Sequence, residues 1–356
     1  VGAGRKTGVR QYMAWVDCAK GIGICLVVLG HIAQGGVRDF IYVFHMPLFF
    51  FLSGFLHRVD SQFVSYAKKK ALHLLVPYVW FVILTTLMKA PHFIERGMTP
   101  ARLKHGLFVL MWGGEAMKGA YGVLWFLTCL FLTQQVGNWL LVRFRTTTAG
   151  LAAAISMLLS YVIAWAAPRF SLPLDANVVL ASLPFFLAGY FSQRFEFTSR
   201  WMLAIAAPGV VVAITLLACG ASLPYDMRGG VYGLPFITPL LALACIFGCV
   251  YLSQHAARHA ASNYILARLG AVSLPIMFLH KELPGVPGYR LVERVGVGFD
   301  FFVTLLISYA LADLCSRSEV TRAFLLGSSK DLERLSARWK PRIRSFRPPP
   351  DVLAES

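Results

Sequence analysis

The stretch "DCAKGIGICLVVLGHIAQG", residues 17–35, is apolar enough to enter a bilayer as a helix, yet it holds Asp17, Lys20 and His31. Each residue of an α-helix turns ~100° and rises ~1.5 Å. Asp17 and Lys20, three apart, are therefore neighbours on one face. Eleven residues beyond Lys20, about 1100° later, His31 returns to within ~20° of that face, ~16 Å further along the axis. The polar groups thus form two stations at two depths. The plain reading of the first is an interfacial ion pair with Lys20 snorkelling. The functional reading is that intramembrane charge marks a working path.

Composition favours a membrane. The chain is 57% hydrophobic and 14% charged, with mean hydropathy +0.62, against roughly 25% charged residues in soluble domains. The net charge of +17 does not point to nucleic acid, because the basic residues sit in short runs between apolar spans. The seven cysteines are scattered. Cys245 and Cys249, the one close pair, lack the CxxC spacing and nearby histidine of a metal or redox site, and read as core residues. No cleavable signal peptide is expected, since charge interrupts the first apolar run.

Ten runs of spanning length follow: 14–34, 40–57, 72–89, 122–142, 149–167, 177–193, 201–219, 231–252, 264–281 and 296–315. The fold class expected is an all-α polytopic membrane protein. The second run is short and contains Pro47, which suits a non-helical approach through His45 and Met46 followed by a helix start. "GLFVLMW" (106–112) is too short to span and suits a re-entrant or interfacial segment. With both termini cytoplasmic, inner segments hold 22 Lys and Arg and outer segments 11, the asymmetry that orients membrane helices. This division gives a cytoplasmic segment 1–13, a transmembrane domain 14–315, and a tail 316–356. The tail, basic as far as Arg347, is expected to lie on the anionic leaflet or to be disordered.

On this topology His31, His45 and His280 all end spans on the outer side, and Trp125 starts one there. A single histidine or tryptophan in such a place is an ordinary anchor; three histidines on one side invite chemistry. A neutral imidazole takes a proton from a hydroxyl and returns it to a leaving group. The pantetheine arm of coenzyme A is of the same order of length as the ~16 Å between Lys20 and His31. A thioester whose phosphates meet Lys20, Lys68, Lys69 and Lys70 would bring its acyl group to His31. Ser53, amid phenylalanines, is either a serine bonded to its own helix or part of such a site.

The motifs D-x-x-K-G-I-x-I-x-L-V-V-x-G-H (17–31), F-H-M-P-L-F-F-F-L-S-G-F (44–55), LLVPY (74–78), LWFL (124–127), LPFFLAGYF (183–191) and LG-x-x-S-L-P-I-x-x-L-H (269–280) occur in an order that resembles the acyltransferase-3 membrane family. The branch they most resemble is that of fucose 4-O-acetylase, and the resemblance covers 14–315. It implies ten core helices in a bacterial inner membrane, moving acetyl groups from cytoplasmic acetyl-CoA to hydroxyls of exopolysaccharide, O-antigen or related cell-envelope sugars. The family's basic-x10-His pattern falls on Lys20 and His31, with lysine where many members carry arginine. Its essential histidine carries over to His31, as general base or transient acyl carrier. The family's basic pair before LL-x-P-Y falls on Lys70 and His73.

The resulting expectation is an O-acetyltransferase. His31 is catalytic, Asp17 and Lys20 organise the donor end, and Lys68, Lys69 and Lys70 are candidate CoA phosphate contacts. His45, Ser53, Trp125, Ser273 and His280 line the substrate site. No metal and no permanently bound cofactor is implied; acyl-CoA is a co-substrate. The partners are a carbohydrate acceptor, free or lipid-linked, and membrane lipids. The rival reading is a glycan transporter or flippase, which intramembrane charge would also suit. It lacks a visible internal repeat, and the charge is concentrated in the first span.

Overall fold

A computed structural model of the chain describes residues 13–339 apart from 91–94, 96, 98, 114–116 and 196–198. All the described regular elements are helices, joined by one isolated bridge between Asp226 and Val231. In chain order the α-helices are α1 (Ala14–Ile32), α2 (Gly35–Phe55), α3 (Phe63–Met88), α4 (Pro100–Trp112), α5 (Trp125–Arg143), α6 (Thr146–Ala166), α7 (Val179–Ser192) and α8 (Ser199–Ala218). They continue as α9 (Ile237–Arg258), α10 (Ala260–Ala271), α11 (Ser273–Leu279), α12 (Arg290–Val295), α13 (Val297–Arg317), α14 (Glu319–Leu325) and α15 (Ser329–Trp339).

Among the described residues eight helical segments are long and apolar enough to cross a bilayer, or nine if α10 and α11, bent by 66° at Val272, form one broken span. The chain is an all-α multi-pass membrane protein. The expected span outside this set, 40–57, corresponds to α2. Its first turns carry Gly35, Gly36, Arg38 and Asp39, so the apolar run begins only at Phe40 and is short for a span. Pro47 lies inside this continuous helix, so the expected helix start at Pro47 is corrected. Proline removes one N–H from the ladder without ending the helix, as spanning helices tolerate.

The helices that face outward do so with apolar stripes. Leu151, Ile155, Leu158 and Val162 on α6, and Phe299, Phe302 and Leu306 on α13, are exposed at helical spacing. Such faces suit hydrocarbon as the surrounding solvent. The interior is aromatic, with Phe50, Phe51, Phe185 and Phe186 fully buried.

α1 lies at the centre, packed on α2, α9, α10, α11 and α13. Two crossings depend on glycine. A Cβ at Gly21 would overlap the Leu266 carbonyl of α10, and one at Gly270 would overlap the Asp17 carbonyl of α1. The α2–α7 crossing is built alike, with Gly54 against Phe186 and Gly189 against Phe51. Missing side chains let these backbones approach as small residues do in membrane bundles.

The described part of the tail, 316–339, is more ordered than expected. α14 and α15 are joined by an ion pair, Arg322 Nε to Asp331 Oδ2 at 3.0 Å, and Ser328 Oγ donates to the same carboxylate at 2.6 Å. The Phe324 ring packs on Trp80 at 4.8 Å, and His73 Nδ1–H donates to the Gly327 carbonyl at 3.0 Å. His73 thus fastens the tail to α3. Residues 1–12 and 340–356 lie outside the described residues.

Candidate functional site

Asp17 and Lys20 form the ion pair that their spacing predicts, at 3.0 Å, with side chains 24% and 30% exposed. One helix carries this pair near its start and His31 in its last turn. His31 is half-buried and opens onto a cleft of about 810 Å³. A volume of this order suits a small-molecule or oligosaccharide substrate.

The cleft is walled by the end of α1, the first half of α2, residues 118–125, residues 225–229 and Lys281. His31, His45 and Trp125 line it together. Tyr42 Oη lies 3.2 Å from His31 Nδ1, and the Tyr42 ring packs on His45 at 4.7 Å between centroids. Tyr42 was not among the residues expected from sequence. Its spacing of three from His45 on one helix was the available signal.

His45 Nδ1 lies 3.0 Å from the Ile41 carbonyl, and His280 Nδ1 lies 3.0 Å from that of Ile276. A carbonyl only accepts, so each Nδ1 carries the proton in the neutral ring and each Nε2 keeps its lone pair. The break at Val272 redirects the chain so that His280 comes behind His31, with the two rings stacked at 5.2 Å and 20° between planes. His280 itself is buried, and its Nε2 has no hydrogen-bond partner among the described residues. Trp125 caps the site from the first turn of α5, wedged against Phe50 at 6.5 Å between centroids.

Ser53 and Ser273 are not on this cleft. Ser53 lies eight residues along α2 from His45, ~12 Å on the axis, where it accepts a hydrogen bond from Gln134 Nε2 at 2.8 Å. That bond runs to another helix, not to its own backbone. Ser273 opens α11, seven residues before His280. Both therefore sit deeper than the lining assigned to them from sequence. Lys68 and Lys69 are exposed near the start of α3, and Lys70 Nζ lies 5.4 Å over the Tyr66 ring.

Sequence reasoning also missed the segment 225–229. It reaches the site through a main-chain bond: Tyr225 N–H donates to the Tyr42 carbonyl at 2.9 Å. The helix at this point is already one rung short, because Pro47 offers no N–H to the Val43 carbonyl. Tyr225 is fully buried, and its Oη donates to the Ala181 carbonyl at 3.3 Å. With Tyr225 fixed, Asp226 and Arg228 follow into the cleft wall.

Residues 13–316 match the family described as Acyltransferase domain. Two nodulation proteins are similar to part of the chain. NolL of Mesorhizobium japonicum is 28% identical over 190 residues, 49% of this chain and 46% of its own. NolL of Sinorhizobium fredii is 28% identical over 208 residues, 52% and 50%. The chain thus spans about half the length of each relative. No solved structure matches it.

Proposed function

The chain belongs to the acyltransferase domain family, and from that premise we propose that it moves an acyl group, acetyl in the first instance, from acyl-CoA to a sugar hydroxyl of a bacterial cell-surface glycan or exopolysaccharide. The observation that carries this reading is the Tyr42–His31–His280 arrangement at the cleft, on the same helix as the Asp17–Lys20 pair. A base with an orienting partner and a cationic station ~16 Å away matches a long thioester donor meeting a hydroxyl.

In this mechanism His31 Nδ1–H donates to Tyr42 Oη, which leaves the Nε2 lone pair for the acceptor. The acceptor oxygen attacks the thioester carbonyl while its proton passes to Nε2. As the tetrahedral intermediate collapses, the C–S bond breaks and the same proton passes from His31 to the departing sulfur. His280 fixes the plane of the His31 ring, and Tyr42 sets its tautomer. Trp125 and His45 shape the acceptor's side of the cleft. Lys20 and Lys68–Lys70 meet the phosphates of CoA, with Asp17 holding Lys20 in place. The membrane is the bacterial inner membrane, in keeping with the rhizobial source of both relatives.

The test is transfer of radiolabel from acetyl-CoA to the glycan fraction by membranes carrying wild type or His31→Ala. Loss of the general base is expected to slow transfer by about 100- to 10,000-fold. Transfer at the wild-type rate by the variant overturns the mechanism.

A further inference from the structure

The cleft beside His31 is strongly unbalanced in charge. Arg38, Lys118, Arg228 and Lys281 line it, against one carboxylate among the described lining residues, that of Asp226. Asp226 Oδ1 is already engaged, accepting the Gly229 N–H at 3.2 Å across a turn. Among the described residues none of the four cations lies within ion-pair distance of a carboxylate.

Two of these cations are held in position. The Arg38 guanidinium lies 5.0 Å over the Tyr42 ring. That of Arg228 donates to the Met117 carbonyl and packs on Gly122, where a Cβ would come within 2.7 Å of it. Arg228 Nε is buried without a hydrogen-bond partner among the described residues. Lys281 follows His280 directly, is half-buried, and lines the same cleft as both arginines. Like charges gathered in a partly desolvated cleft raise its potential, and a bound anion relieves the repulsion. The planar fork of arginine suits the paired oxygens of phosphate, sulfate or carboxylate.

Position ties this charge to the chemistry. Arg38 covers one face of Tyr42, and the hydroxyl of the same Tyr42 reaches His31. We infer that the cleft recognises an acceptor carrying an anionic oxygen group, on the acylated sugar or its neighbour, with Arg38, Arg228 and Lys281 as counter-charges. The inference rests on the reading that the acceptor hydroxyl meets His31 in this cleft. It assigns these cations to the acceptor, leaving the donor's phosphates to the Lys20 end.

The full-length chain in detergent is titrated with glucose 1-phosphate, glucose and coenzyme A, following heat or tryptophan fluorescence. Wild type is expected to bind glucose 1-phosphate saturably and at least about tenfold more tightly than glucose, with affinity falling as salt rises. Arg38→Gln/Lys281→Gln is expected to lose about tenfold or more for glucose 1-phosphate while its affinity for coenzyme A stays within about twofold. Arg38→Lys, which keeps the charge, is expected to recover part of the loss if the double variant is poorly folded. Equal affinity for the two sugars in wild type overturns the inference. So does a double variant that loses coenzyme A instead of, or as much as, the sugar phosphate. Binding is read here without transfer, so the anion site stands or falls separately from the catalytic role of His31.

Discussion

The imidazole of His280 lies on that of His31, 5.2 Å away and within 20° of parallel. One ring ends the first helix, and the other follows a broken helix near the far end of the bundle. Tyr42 on one edge and His280 on one face hold the His31 ring between them. The His31 ring is oriented by an aromatic contact and a phenol, with no carboxylate hydrogen-bonded to it among the described residues.

Tyr42→Phe removes the 3.2 Å contact with His31 Nδ1 and leaves the ring that packs on His45. Transfer kinetics on purified enzyme are expected to show kcat lowered about 10- to 100-fold with KM for acyl-CoA little changed. A rise in KM with unchanged kcat would place Tyr42 in substrate binding instead.

His280 separates geometry from proton chemistry. If its role is to hold the His31 plane, His280→Phe keeps the stack and retains activity within about threefold, whereas His280→Ala loses about tenfold, the scale of an aromatic pair. Equal loss in both variants would assign the function to the ring nitrogen.

The glycine crossings set the frame. Gly270→Leu drives a side chain into the Asp17 carbonyl of α1, and Gly54→Leu drives one into the Phe186 carbonyl of α7. Overpacking of this kind costs about 1–3 kcal/mol or more. Both variants are expected to lose thermal stability in detergent, while a change at Gly36, which faces open space, leaves the transition in place.

The tail reports pH. The Arg322 guanidinium and the Ser328 hydroxyl hold the Asp331 carboxyl down at about 2. A lowered folded value means the ion pair stabilises docking above the ordinary carboxyl range. That contribution fades as pH falls from about 4 and is gone below about 2. Pepsin digestion from pH 4 to pH 1.5 is expected to release the 319–339 segment only near the bottom of the range. Asp331→Asn is expected to expose the same segment to trypsin at neutral pH.

Much of the site could be read from the sequence because helical period carries it. Asp17, Lys20 and His31 share a face by spacing alone, and the Asp17–Lys20 contact follows from it. Convergence of His31, His45 and His280 needed only the direction in which each helix runs. What could not be read was depth and approach. Ser53 and Ser273 belong to the right helices but lie too many turns from the cleft. Arg228 comes from a loop, and nothing periodic marks a loop that docks through its main chain. The short start of α2 shows the same limit from the other side, since polar first turns extend a helix that hydropathy alone begins later. In the tail, the Arg322–Asp331 pair and the Phe324–Trp80 contact order a stretch whose composition alone read as leaflet-bound or disordered.

The bond from Tyr225 N–H to the Tyr42 carbonyl has a bearing on how such a protein diversifies. Its partners are backbone atoms beside a proline, so substitutions at 226–229 leave this fastening untouched. This wall of the cleft can change its charge and shape while the helix bearing Tyr42 stays where it is. On the proposed function, acceptor preference can then drift through a handful of exchangeable residues, at little risk to the geometry around His31.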